Sequence, residues 1–287
     1  MTRPTILVTG AGGQIGHELA RLLPAHGEVL ALDRSELDFC DADAIRSTMR
    51  SIRPRIVVNA AAYTAVDRAE KEPELAFAVN ARAPEIIAEE TKRLDSVLLH
   101  FSTDYVFDGH ASTPYDEDAP TAPLNVYGQS KLAGEHALMA SGCIGLTLRT
   151  SWIYALRGHN FLLTIRRLAA ERDELTVVAD QFGVPNWAGA VAGAVASLIE
   201  RGGPYLAERR GLYHLSGSGA ASWFDFARAI IGPVEHPRLS PITTEQYPTP
   251  ARRPAYAVLD ASKFARTFGF GLPEWRAMLR DCLSGNP

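Results

Sequence analysis

Cysteine is scarce in this chain of 287 residues, with only Cys40, Cys143 and Cys282. They lie far apart, without CxxC spacing and without a nearby pair of histidines, so a zinc site is not expected and free thiols are. There is no run of Lys or Arg, and the formal net charge is -4. A nucleic-acid partner needs a concentrated basic face, so that class of partner is not expected. No apolar run reaches membrane-spanning length, and no charged segment followed by an apolar one precedes the first strand-like run at Thr5 to Thr9. The expectation is a cytoplasmic protein with no membrane partner. Internal repeats and low-complexity segments are missing too.

What is present is an ordinary globular composition, 46% hydrophobic and 22% charged, long enough for two modest domains or one large one with an appendage. Short apolar runs recur at Thr5 to Val8, Val29 to Leu32, Ile56 to Val58, Val97 to Phe101 and Ile144 to Leu148. Each is nearly continuous, the pattern of a strand buried on both faces. Helical stretches lie between them, at Ile15 to Leu23, Asp41 to Ser51, Pro84 to Leu94 and Ser130 to Ala140. Alternating strand and helix predicts a parallel sheet with helices on both sides.

After about residue 150 the rhythm loosens. Helices are expected at Phe161 to Arg172, Ala188 to Arg201 and Ser222 to Ile231, between Gly- and Pro-rich connections such as "YPTPARRP" at 247 to 254. Tyr213 to Leu215 and Thr176 to Val178 are candidates to return to the first sheet. The fold class expected is therefore α/β, a Rossmann-type doubly wound parallel sheet with a smaller α+β substrate-binding domain. Residues 1 to 151 are assigned to the first and 152 to 287 mainly to the second.

"ILVTGAGGQIGHEL" runs from a buried-type strand through Gly10, Gly13 and Gly16 into a helix. Gly10 permits the tight turn, Gly13 lets backbone N–H groups approach a pyrophosphate, and Gly16 lets helix and strand pack closely. The helix N-terminus adds partial positive charge. A glycine turn by itself is a weak signal; its place at the head of an alternating chain makes it a dinucleotide site. The second apolar run ends in Asp33 and Arg34, one suited to an adenosine ribose and the other to a 2'-phosphate, so NADH and NADPH both stay open. The third ends in Asn59 and small alanines, which assigns Ala61, Ala62 and Tyr63 to the cofactor wall.

Tyr127 and Lys131 stand one helical turn apart in "VYGQSK". Residues i and i+4 share a face, and a neighbouring ammonium is expected to lower the phenol's pKa and make it a usable acid. The spacing alone is common on solvated helices. It gains weight from "HFSTDYVFDG", where the fourth strand runs into Ser102, Thr103 and Asp104. Strand ends in open parallel sheets face the ligand crevice, so Thr103 can hold the oxygen that Tyr127 protonates.

Taken together, "NAAAYTAVD", "FSTDYVFDG", "PLNVYGQSKLAGE", "RTSWIYA", "DQFGVP", "GLYHLSGSG" and "YPTPARRP" resemble the extended short-chain dehydrogenases/reductases, and more closely the dTDP-4-dehydrorhamnose reductase family, over nearly the whole chain. The resemblance implies Thr103, Tyr127 and Lys131 as the catalytic set. It also implies Gly13, Gln14, Ile15, Asp38, Phe39, Ala62, Tyr63 and Thr64 at the cofactor, and Thr103, Asp104 and Trp152 at the sugar. It implies reduction of the 4-keto group of a dTDP-4-keto sugar, dTDP-4-dehydro-L-rhamnose, to dTDP-L-rhamnose for cell-envelope polysaccharide. Similar dehydratases carry an added acid after the Thr-Asp pair, where this chain has Tyr105, so simple reduction is favoured. Arg252 and Arg253 are candidates to clamp the substrate pyrophosphate.

Some members of that family are similar in bridging subunits through a carboxylate-held magnesium ion. Glu18 matches one such ligand, but Gly189 stands where those members carry an acid, which counts against a metal site here. A homodimer through another surface, or a monomer, stays open. Two other readings are carried alongside: a non-catalytic NAD(P)-binding regulatory subunit, and a reductase or epimerase of another deoxy-sugar nucleotide.

Overall fold

The computed structural model describes residues 3 to 233 and 237 to 285. Five short apolar runs become strands β1 (Thr5–Thr9), β2 (Glu28–Leu32), β3 (Ile56–Asn59), β4 (Val97–Thr103) and β5 (Ile144–Thr150). Between and after them run helices α1 (Gln14–Leu22), α2 (Ala42–Ile52), α3 (Ala83–Arg93), α4 (Val126–Ser141) and α5 (Ala188–Glu200). A sixth strand, β6 (Gly211–His214), follows α5. The six form one sheet in the order β6-β5-β4-β3-β1-β2, every neighbouring pair parallel. This is a Rossmann-type doubly wound sheet.

Every residue of β3 and of β4 is buried, as apolar strands with helices on both faces must be. One face packs Leu19 of α1 and Val191, Val195 and Leu198 of α5; the other packs Ile45 and Met49 of α2 and Ile86 and Ile87 of α3. Strand order reverses between β1 and β3, so their carboxyl ends open the crevice where such sheets bind ligands. A further core, with Tyr154, Leu162, Phe226, Trp275 and Met278 at its centre, is built from residues after β5. Phe264 and Phe268 nonetheless pack back onto the sheet.

The chain around Tyr213 lies in β6, paired with β5. Thr176 to Val178 does not join it. Glu174–Val178 pairs in parallel with Arg238–Ile242 in a separate two-stranded sheet. The reason is visible in its residues: Glu174 and Thr176 are exposed while Leu175 and Val177 are buried, a period-two pattern that suits a half-exposed strand.

Candidate active site

The glycine turn is shaped by what it cannot hold. Gly10 has φ +74, and a Cβ there would lie 2.6 Å from the backbone of Ala61; a Cβ on Gly16 would lie 2.1 Å from the Gly10 carbonyl oxygen. The turn thus presses against the end of β3 and α1 presses against the turn. No side chain caps the N-terminus of α1. Its first amides remain available to an anion, which is the fit a dinucleotide pyrophosphate needs.

Beyond the turn lies a cleft of roughly 240 Å³. Gly10, Gly13, Asp33, Arg34, Asp38, Phe39, Ala61, Ala62 and Tyr63 line it. So do Gly12, Leu37, Ala60, Leu75 and Val79, five positions without a sequence signal of their own. The Asp33 carboxylate accepts from the backbone N–H and the hydroxyl of Ser35 at 2.7 and 2.6 Å, and these bonds hold its pKa below the usual range. Gln14, Ile15, Gly16 and Thr64 are not on the cleft wall. Ile15 packs against the core, and Thr64 is exposed. Gln14 reaches the chain after β5, donating to the Ile153 carbonyl at 3.4 Å and accepting from Asn160 at 2.8 Å.

Thr103 closes β4, and its hydroxyl accepts from Tyr105 N–H at 3.2 Å and donates to the Asp104 carboxyl at 3.0 Å. The Tyr127 ring stands edge-on to the Tyr105 ring, centroids 5.6 Å apart, which puts it beside the turn that Thr103 caps. What brings α4 this close is a pair of glycines on its buried face. A Cβ at Gly128 would lie 2.2 Å from the Tyr105 carbonyl, and one at Gly134 would lie 2.2 Å from the Asn80 carbonyl. Asn125 caps the helix, accepting from Gly128 N–H at 2.8 Å. Its amide also donates to the Arg252 carbonyl at 2.7 Å, which ties the "YPTPARRP" loop to the turn that carries Tyr127.

The electrostatics correct one expectation. Burial pushes the Tyr127 phenol up to about 12, helped by the Asp104 charge and opposed by Thr103. Lys131 does not make it more acidic. Its ammonium is buried and donates to the Phe101 carbonyl at 2.6 Å, and burial lowers its own pKa to about 8. A second correction concerns Arg253, whose guanidinium forks onto the Asp67 carboxylate at 3.1 and 2.8 Å and onto the Ala251 carbonyl at 3.0 Å. Its donors are committed to holding the loop, while Arg252 stays exposed. Trp152 lies off the cleft wall, with backbone φ +43 and its ring stacked on Trp223 at 3.4 Å.

Two polar residues that the sequence did not mark, Asn80 and His100, complete the site. Asn80, fully buried, accepts from Tyr63 N–H at 2.8 Å and donates to the Tyr63 carbonyl and the Ser130 hydroxyl, both at 3.0 Å. It thereby clamps the cofactor wall to α4. It lies in a π-helical turn, Ala78–Arg82, that runs into Pro84, whose missing N–H disrupts the helical ladder. His100 pairs with Asn59 at 3.0 Å, and Asn59 accepts from Thr9 at 2.8 Å, linking β1, β3 and β4 beneath the crevice. Among the described residues no group of three or more His, Cys, Asp or Glu converges as a metal site. At Gly189 a Cβ would lie 2.5 Å from the Trp187 ring. The described residues also contain no helix long and apolar enough to cross a membrane.

A doubly wound parallel sheet, an uncapped glycine turn at its switch point and a Tyr/Lys helix beside it define an extended short-chain dehydrogenase/reductase. Residues 4–286 match the family model described as RmlD substrate binding domain. The chain is 45% identical over 293 residues to the dTDP-4-dehydrorhamnose reductase of Burkholderia thailandensis and 43% identical over 290 residues to that of Escherichia coli, with 97% of both chains covered in each case. The solved dTDP-4-dehydrorhamnose reductase of Bacillus anthracis in complex with NADP superposes with a TM-score of 0.92 at 35% identity, covering 99% of this chain and 100% of that one. The chain belongs to the dTDP-4-dehydrorhamnose reductase family.

Proposed function

We propose that this chain is an NAD(P)H-dependent oxidoreductase that reduces the 4-keto group of dTDP-4-dehydro-L-rhamnose to dTDP-L-rhamnose, in dTDP-rhamnose biosynthesis, with Tyr127 as proton donor. The observation that carries the reading is Tyr127 packed against the Thr103–Asp104–Tyr105 turn at the end of β4, in a chain 45% identical to a named reductase over 97% of its length. A bound NADPH or NADH supplies the hydride. The uncapped N-terminus of α1 holds its pyrophosphate, and Arg34, Asp38, Phe39 and Tyr63 hold its adenosine half.

Thr103 fixes the ketone oxygen and Tyr127 gives it a proton. A phenol with a pKa of about 12 is fully protonated at neutral pH and still far more acidic than the alcohol that forms, so the transfer runs downhill. Tyr105, which stands where dehydratases carry an acid, is pushed still further up by burial and stays neutral. Asp104 and Trp152 take the sugar. Arg252 takes the nucleotide phosphates, with Arg253 shaping its loop through Asp67. Residues 152 to 287 thus contribute mainly to the sugar nucleotide.

The test is nicotinamide absorbance with and without the keto sugar. The wild type oxidises the coenzyme only when dTDP-4-dehydro-L-rhamnose is supplied, and the product is dTDP-L-rhamnose. Tyr127→Phe lowers turnover by roughly 10²- to 10⁴-fold while coenzyme binding survives. Full activity in that variant, or a different sugar product, contradicts the reading.

A further inference from the structure

The chain that leaves β5 returns to the glycine turn as a short arch. It is pinned at Ala155, 1% exposed, and at Asn160, 8% exposed, while Leu156, Gly158 and His159 between them face solvent. Asn160 holds the arch in shape: its amide donates to the Ala155 carbonyl at 2.9 Å, to the Arg157 carbonyl at 3.0 Å and to Gln14 of α1 at 2.8 Å. Gly158 takes φ +73, a left-handed conformation that a side chain would strain, and a Cβ there would lie 3.7 Å from Gln14 Cγ. The arch sets Arg157 against the start of α1, where its guanidinium donates to the Gly13 carbonyl at 3.3 Å. That is the one hydrogen bond of this guanidinium among the described residues, so most of its N–H donors are uncommitted. The one acid of α1, Glu18, is held by Arg21 at 3.1 Å.

A dinucleotide pyrophosphate is a dianion, and a helix N-terminus offers only about half a positive charge. Arg34 is the one cation on the cleft wall, and it follows Asp33 at the end of β2, away from the glycine turn. Lys131 is committed to the Phe101 carbonyl. The turn is therefore short of positive charge, and Arg157 is the cation held against it. We propose that Arg157 binds the coenzyme's pyrophosphate, its guanidinium forking onto the phosphate oxygens at the glycine turn. The inference rests on the reading that seats this pyrophosphate at the N-terminus of α1.

NADH and NADPH share the pyrophosphate and differ at the 2'-phosphate, so Arg157 serves both alike, whereas Arg34 is placed to read one of them. The three acceptors on the Asn160 amide fix the arch before any coenzyme arrives, which lowers the ordering cost of binding. The half of the chain that follows β5 thus supplies part of the coenzyme site as well as the sugar-nucleotide site.

The experiment is calorimetric titration of the wild type, Arg157→Ala, Arg157→Gln and Arg157→Lys with NADPH and with NADH, in the absence of sugar nucleotide. Arg157→Ala is expected to raise Kd for both coenzymes by the same factor, roughly 10- to 100-fold, the scale of a charge-assisted hydrogen bond. Arg157→Gln keeps an amide donor for the Gly13 carbonyl but removes the charge, and it loses as much as Arg157→Ala. Arg157→Lys keeps the charge and recovers most of the affinity. The gap between the wild type and Arg157→Ala narrows as salt is raised. If Arg157 merely ties the arch to α1, Arg157→Gln binds like the wild type, which overturns the inference. A loss confined to NADPH overturns it too, because only the 2'-phosphate distinguishes the coenzymes, and so do unchanged constants in all three variants. A wild type that binds neither coenzyme sinks the seating of the pyrophosphate itself, and one that binds both but never reduces the keto sugar sinks the functional reading alone, so the failures are told apart.

Discussion

Thr103 caps the turn after β4 with the hydroxyl that the proposed mechanism also assigns to the ketone oxygen. Its position could be seen in the sequence because a buried apolar strand running into Ser-Thr-Asp can only end at the sheet's carboxyl edge. Lys131 could be placed but its effect could not, since pKa depends on burial and partners that spacing does not reveal. At the other end of the site, Asp33 has Ser35 on its carboxylate, while Arg34 lines the same cleft and forms no ion pair among the described residues. Arg34→Ala is therefore expected to raise KM for NADPH roughly tenfold, the scale of one charge-assisted contact to a 2'-phosphate, and to leave KM for NADH within about twofold. Steady-state kinetics with each coenzyme checks this. Equal losses for both coenzymes would show that Arg34 does not read the 2'-phosphate.

At the scale of elements, α4 decides whether Tyr127 and Lys131 reach the strand ends at all. Its buried face carries Gly128, Ser130, Lys131 and Gly134, small and charged residues that no apolar periodicity would have marked as a packing face. This is why the sequence placed the tyrosine on a helix without showing how closely that helix docks. Asn80 was invisible for the same reason, being one polar residue inside an apolar helical stretch. Gly134→Ala forces a Cβ to 2.2 Å from the Asn80 carbonyl. The expected cost is about 1 to 3 kcal/mol, with a lower Tm and a lower kcat, because α4 must move. Gly193→Ala on α5 is the control, since a Cβ there meets nothing within 4 Å. It is expected to raise stability by roughly 0.5 to 1 kcal/mol, the helix preference of Ala over Gly, without touching kcat. Thermal melts and turnover numbers on the two variants separate the claims.

Across the whole molecule, the glycine turn is wired to the chain that follows β5. Asn160 caps the helix Phe161–Glu171, and its amide donates to Gln14 at 2.8 Å and to the Ala155 carbonyl at 2.9 Å, while Arg157 donates to the Gly13 carbonyl at 3.3 Å. On the far side, Asn125 ties Arg252 to the start of α4. The glycine turn, the helix that carries Tyr127 and the candidate sugar-nucleotide loop are therefore held by direct bonds, none of which follows from local pattern because each joins residues more than 100 positions apart, the Asn160 cap and Ala155 bonds excepted. The alternating strands and helices were legible, and so was the glycine turn. The strand at Glu174–Val178 was misplaced because its apolar residues were counted without the exposed Glu174 and Thr176 that set its period.

The most direct check of the central claim is a crystal structure of this chain with NADP⁺ and dTDP-L-rhamnose bound together. The account predicts the sugar O4 within about 2.6 to 3.2 Å of both the Tyr127 phenol and the Thr103 hydroxyl, with the nicotinamide on the face of C4 opposite no intervening side chain. A sugar O4 bound away from both hydroxyls, or a phenol screened from the nicotinamide by protein, would contradict it.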